Sequence, residues 1–163
     1  LADKWFMHEE SIRTPLLVYD PRLPAGARGR RRSEMALNID LAPTMLSLAG
    51  VKAPPSMQGR DLMPLVRGER RAWRREWFYS HYFEHPRIPK NEGVRTENWA
   101  YMRYLASGYE ELYDLKRDGA QEHNLASTDK PRLEAMRRRR DAWEKALAAW
   151  NIDAPWREPA ASA

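Results

Sequence analysis

The 163-residue sequence contains no cysteine. That excludes a disulfide framework, a thiolate metal site and a thiol nucleophile within these residues, and it leaves the compartment unassigned. No apolar run approaches the roughly 20 residues needed to cross a bilayer, so no membrane span is expected. A Gly-rich phosphate loop, an internal repeat and a second His-x-x-His or carboxylate set of metal-ligand spacing are also missing. The opening Leu1-Ala2-Asp3-Lys4 has neither an initiator Met nor a signal-peptide pattern, so a processed or C-terminal piece of a longer protein is expected. Phenylalanine is scarce at three, but seven Trp, seven Tyr and 42% apolar residues exclude a disordered chain.

What is plentiful is positive charge. Lys and Arg exceed Asp and Glu by 28 to 23, giving a net charge of +5. The excess lies in Arg22 to Arg32, Arg67 to Arg75 and Arg137 to Arg140. Four consecutive arginines on a helix step about 100° each, so the last cluster surrounds its helix instead of lining one face. Glu134, Asp141 and Glu144 dilute it further. The other two clusters fall in Pro/Gly loops. The pattern describes a solvated surface, and nucleic acid is not the expected partner.

Twelve Pro and eight Gly point to a loop-rich α/β to α+β protein. Pro15 to Tyr19 is a continuous apolar run that fits a strand buried on both faces. Residues 38–50 read as a helix, with Asp40 as N-cap, Pro43 in the first turn, Gly50 as C-cap and an apolar face of Leu41, Met45, Leu48 and Ala49. Residues 51–72 read as a surface loop with a short Asp61-to-Val66 turn and a charged linker. Beyond it the period changes to two, in strands expected over 77–83, 93–105 and 110–115. A long closing helix carries Asp129 as N-cap, Pro131 in its first turn, and a stripe of Leu133, Met136, Trp143, Leu147 and Trp150. The expected organisation is therefore residues 1–70 as the end of an α/β domain, 71–150 as a small antiparallel sheet covered by a helix, and 151–163 as a fraying tail.

The histidines are His8, His81, His85 and His123. His81 and His85 flank Glu84, but alternating aromatics around them favour a cleft-lining position for one and a loop position for the other over a metal site. Ser11 near His8 and Glu10 is proximity in sequence, not a triad. By themselves these residues compose no self-sufficient active site.

The order of the segments says more. Residues 1–18, running from Leu1-Ala2-Asp3-Lys4-Trp5-Phe6 to Pro15-Leu16-Leu17-Val18, resemble the sulfatase segment that follows the family's metal-binding motif. Asp40-Leu41-Ala42-Pro43-Thr44 resembles its Asp-x-x-Pro-Thr helix, and Gln58-Gly59-Arg60-Asp61-Leu62 its following turn. Gly93-Val94-Arg95-Thr96-Glu97, then Glu110 to Leu115 and Glu122-His123-Asn124-Leu125, resemble the C-terminal subdomain of that family. These matches occur in family order across most of residues 1–126.

The resemblance implies that Lys4 is the lysine that contacts the sulfate group. An ammonium held near a sulfate ester stabilises the negative charge that develops on its oxygens. It implies further that His8, His81, His85 and Arg95 are candidates for the substrate cleft, and that Asp40, Pro43 and Thr44 are structural. His8 stands where the family commonly has Tyr, and Ala100 where Lys is common. Sulfatases also use a formylglycine, made from a Cys/Ser-x-Pro-x-Arg motif, and a divalent metal, usually calcium. Neither that motif nor a metal-ligand set occurs in these residues, so the chain is expected to be inactive by itself. The expected function is that of the C-terminal part of a sulfatase acting on a sulfated small molecule or sugar. Two alternatives stay open: a phosphonate or phosphate-ester hydrolase of the same alkaline-phosphatase-like superfamily, and a non-catalytic domain binding polyanions through Arg28 to Arg32. Apolar surface left over from a missing sheet would promote homo-oligomers.

Overall fold

The structure is a computed structural model that describes residues 5–69 and 72–149. Its centre is a meander of four antiparallel strands, β1 (Glu76–His81), β2 (Asn91–Thr96), β3 (Trp99–Tyr104) and β4 (Glu110–Asp114), in the order β1-β2-β3-β4. The expected single strand over 93–105 lies within two, because the chain reverses at Glu97-Asn98. There the Thr96 hydroxyl accepts the Trp99 N–H at 3.0 Å, a side chain standing in for a backbone turn bond. Gly108, at φ +66°, supplies the left-handed residue between β3 and β4.

The register sorts the side chains into two faces. Phe78, Val94, Tyr101 and Leu112 are successive register partners on one face. The closing helix, here α4 (Lys130–Ala149), packs its Leu133 and Met136 onto them. Asp129 caps α4 as expected, its carboxylate accepting the Arg132 N–H at 3.0 Å. The arginine run on α4 does not form a patch. Arg137, Arg139 and Arg140 reach Glu110, Glu76 and Glu92 respectively, which places their charge against the sheet's own carboxylates.

The first half of the chain is a set of short pieces: α1 (Glu9–Ile12), a 3-10 turn Ala25–Ala27, a 3-10 turn Asn38–Asp40 leading into α2 (Leu41–Leu48), and α3 (Met63–Arg67). Two expectations fail here. Pro15 to Tyr19 forms no strand, and Leu17 and Tyr19 are each 90% exposed, because no described strand offers the run an edge to pair with. The apolar face of α2 is likewise uncovered: Leu41, Met45 and Leu48 are exposed, while Pro43 and Thr44 are the buried residues. Gly50 does take the left-handed C-terminal position, at φ +70°.

Asp40 is also not the N-cap of α2 in the expected sense. It is fully buried, and its carboxylate accepts the Leu37 N–H at 2.7 Å, the Arg60 N–H at 2.8 Å and both terminal nitrogens of Arg74. Burial alone would push its pKa up. The Arg74 guanidinium, with the Arg60 and Leu37 amides, outweighs that and holds it below the usual carboxylate range. Thr44 completes the hub by donating to the Asp40 carbonyl at 2.6 Å and accepting the Leu62 N–H at 2.9 Å. The residues of the Asp-x-x-Pro-Thr segment thus tie α2 to the stretch immediately before β1.

Candidate functional site

The second face of the sheet carries Trp77, Tyr79 and His81 from β1, Asn91, Gly93 and Arg95 from β2, Ala100, Met102 and Tyr104 from β3, and Glu111 and Tyr113 from β4. Residues 5–12 lie across it. Their path is permitted by Gly93, where an added Cβ would sit 2.0 Å from the Tyr101 carbonyl oxygen and 2.7 Å from Met7 Sδ. Met7 accordingly lies flat on the strand with 1% of its surface exposed.

At one end of this crossing the Trp5 ring meets two histidines. It stands edge-on to His81, with ring centroids 5.4 Å apart, and stacks against His85 at 6.2 Å with the planes 23° apart. The Trp5 carbonyl accepts hydrogen bonds from Tyr79 Oη at 3.2 Å and Asn91 Nδ2 at 3.3 Å. At the other end His8 Nε2 lies 2.9 Å from Glu111 Oε2. Glu111 also accepts from Tyr104 Oη at 3.0 Å and Tyr113 Oη at 2.8 Å. The hydrogen bond to Glu111 raises the His8 pKa above its usual value, against burial, which lowers it. Burial would raise the pKa of Glu111, but its three donors together keep it below the usual range. Between the two ends Arg95 Nε donates to Glu9 Oε1 at 2.8 Å, and the Glu9 N–H donates to the Gln121 side-chain oxygen at 2.7 Å.

Of the residues singled out from sequence, His8, His81, His85 and Arg95 therefore meet on or beside one face, gathered by a single segment of chain. Lys4, one peptide bond ahead of Trp5, lies outside the described residues, as do Trp150 and the tail 151–163. Sequence reading missed Trp5, Tyr79, Asn91 and Glu111. The alternation along β1 put Tyr79 and His81 on one face, but nothing local announced that residues 5–9 would cover it. His8 faces Glu111, and Ser11 takes no part as a nucleophile partner; its N–H donates to the His8 carbonyl.

Among the described residues one cluster could offer donors to a metal: Asp118, Glu122 and His123. It does not fit calcium. The Asp118 carboxylate is occupied by the Glu122 and His123 N–H groups, at 3.0 and 2.8 Å, and a histidine nitrogen is a poor donor for so hard a cation. Several arginines of the basic loop bond main-chain carbonyls. Arg28 donates to the Leu23 and Pro21 carbonyls, Arg30 to Gly26 and Arg32 to Leu65.

Comparison with known proteins places this geometry. Residues 1–144 match the family described as N-sulphoglucosamine sulphohydrolase, C-terminal. An N-acetylglucosamine-6-O-sulfatase of Bacteroides thetaiotaomicron is 35% identical over 130 residues, covering 76% of this chain and 23% of that protein. The chain thus spans about a quarter of that relative's length. Among solved structures, a protein in complex with its substrate D-glucosamine-2-N,6-O-disulfate shares the fold, with a TM-score of 0.62 at 24% identity over 75% of this chain and 26% of the other. The phosphonate monoester hydrolase of Agrobacterium radiobacter shares it too, with a TM-score of 0.56 at 20% identity over 77% and 26%.

Proposed function

The chain belongs to the sulfatase family described as N-sulphoglucosamine sulphohydrolase, C-terminal, and from that premise we propose that it is the part of a sulfatase that carries the sulfate-binding lysine and walls one side of the cleft. The substrate class is a sulfate monoester of a sugar, with an amino sugar the first choice because of the relatives' own substrates. One observation supports this reading best. The segment directly after Lys4 lies on the face that gathers His81, His85, Arg95 and His8.

In the hydrolysis of a sulfate ester, negative charge grows on the sulfuryl and leaving oxygens. A lysine ammonium near them contributes more in the transition state than in the ground state, which is the condition for raising rate. His81 and His85, braced by Trp5, bring flat ring surfaces of the kind that suit sugar ring C–H groups. Arg95 is bound to Glu9, so its role is to hold α1 against the sheet. The family resemblance implies a formylglycine nucleophile and calcium for the complete enzyme. The 163 residues contain no Cys/Ser-x-Pro-x-Arg motif, and among the described residues no donor set fits calcium, so no turnover is expected of these residues alone.

The test uses the intact protein that contains these residues. Hydrolysis of N-acetylglucosamine 6-sulfate or an aryl sulfate, with kcat/KM reduced about 100-fold or more in Lys4→Ala, is the expected result. Faster turnover of a phosphonate monoester than of any sulfate ester would move the chain to the hydrolase branch of the superfamily. Full activity in Lys4→Ala would overturn the lysine's role.

A further inference from the structure

The loop between β1 and β2, residues 82–90, has little freedom. Pro86 and Pro89 fix two of its backbone φ angles. His85 and Ile88 pair across its tip, and the Arg87 N–H turns back to donate to His85 Nδ1 at 3.2 Å. Its base is tied on both sides. Tyr82 Oη donates to Glu92 Oε2 at 2.7 Å, and the buried Glu92 is in turn paired with Arg140 of α4 at 3.1 Å. On the other side the Lys90 carbonyl accepts the Leu105 N–H at 3.0 Å. A loop braced in this way is in shape before a ligand arrives, which lowers the ordering cost of binding.

Two of its side chains take no part in that bracing. Phe83 is 62% exposed, and the Arg87 guanidinium, exposed as well, bonds no group among the described residues. Phe83 continues the cleft wall outward. The alternation of β1 carries Tyr79, His81 and Phe83 to one side, and the Phe83 ring meets His81 edge-on with centroids 6.4 Å apart. Trp5, His81 and Phe83 thus form an unbroken run of rings from the face described above toward solvent. Arg87 follows two residues after His85, whose ring stacks on Trp5. The charges favour an anion: Glu84 is paired with Lys90 at 2.6 Å, which leaves Arg87 as the loop's unbalanced cation. A lone exposed aromatic is ordinary on a protein surface. An exposed ring and a free guanidinium on a braced loop, joined to a sugar cleft, are the groups that an acidic saccharide calls for.

We propose that the β1–β2 loop is an outer subsite for the sugar unit joined to the one that carries the scissile sulfate: Phe83 packs on the C–H face of that unit, and Arg87 pairs with a carboxylate or second sulfate on it. This rests on the sulfatase reading above and deepens it, making the favoured substrate an acidic saccharide of at least two units instead of a single sulfated sugar. A planar guanidinium suits either anion, because both present two oxygens to its fork.

The test compares substrates in the intact protein that contains these residues. N-acetylglucosamine 6-sulfate is assayed beside disaccharides in which the same unit is joined to a hexuronic acid, a sulfated hexose or a neutral hexose. The native protein should favour the better acidic disaccharide over the monosaccharide about 10-fold or more in kcat/KM. Arg87→Ala should cut that preference about 5- to 10-fold, less in high salt, and leave the ratio of neutral disaccharide to monosaccharide unchanged. The acidic disaccharide that loses more identifies the anion as carboxylate or sulfate. Phe83→Ala should cut the preference for every disaccharide about 3- to 10-fold. Both side chains are exposed, so melting temperatures should barely move. Equal losses on monosaccharide and disaccharides, or no native preference for a second unit, would overturn the subsite while monosaccharide hydrolysis keeps the sulfatase reading. A Phe83→Ala variant that melts much lower with its preferences intact would overturn it too, by showing that another part of the protein covers the ring. If the native protein cleaves none of these sulfate esters, the sulfatase reading falls and the subsite falls with it.

Discussion

Glu111 shows how much one side chain can hold. It accepts from His8, Tyr104 and Tyr113, and through His8 it ties residues 5–9 to β4. Because the folded His8 pKa is raised, the pair's stabilisation is complete below the imidazole's ordinary value of 6.5 and is lost as pH rises through the higher folded value. The melting-temperature gap between the native chain and His8→Gln should therefore narrow from pH 5.5 to 8.5. A gap that is flat across this range would show that the pair's charge does not matter. Glu111→Gln, which leaves three donors facing a neutral amide, should cost about 1–3 kcal/mol at pH 6. The sequence marked His8 as a departure from the family's usual Tyr, but its partner lies 103 residues away. No local pattern encodes such a pairing.

Among the elements, α2 owes its placement to the hub around Asp40. Arg74 and Asp40 are nearly or fully buried, so removing one partner strands a charge. Arg74→Met is expected to cost about 3–5 kcal/mol by chemical denaturation, and the paired change Asp40→Leu with Arg74→Met distinctly less. A double variant as unstable as the sum of the singles would refute the coupling. The Asp40 contribution is complete above the ordinary carboxylate value of 3.8 and is lost as pH falls through the lowered folded value. The helix itself was legible: Pro43 in its first turn and Gly50 at its end are local signals, and both hold in the structure. Asp40 was misread as a simple N-cap because Asp before an apolar run looks like one, whereas its main partner enters from the far side of the linker. For β2 and β3, the turn signal at Glu97-Asn98 carries no Gly or Pro, so the two strands read as one.

For the whole molecule, the uncovered apolar residues matter most. Leu17 and Tyr19 are 90% exposed, Met45 65% and Val51 53%, and the chain spans 23% of the length of its N-acetylglucosamine-6-O-sulfatase relative. Extended apolar runs without a paired edge are templates for association. The isolated 163-residue chain is expected to sediment with a concentration-dependent mass above 19.1 kDa, and Leu17→Glu with Tyr19→Glu should return it toward the monomer. A native chain that stays monomeric at high concentration would mean these residues are covered by some other part of it.

By itself the sequence determined the local and the compositional: the closing helix with its cap at Asp129, the period-two strands, the family resemblance, and the lack of a nucleophile motif. These are legible because capping, periodicity and motif spacing act within a few residues. The tertiary structure decided which face of the sheet the first residues cross, that Tyr79 and Asn91 hold the Trp5 carbonyl, and that the arginines of α4 are matched to Glu76, Glu92 and Glu110. It also decided that the runs at Pro15 to Tyr19 and along α2 are left bare. Each of these depends on which distant segment arrives to pair with a given group, and that is set by register and packing across the whole chain.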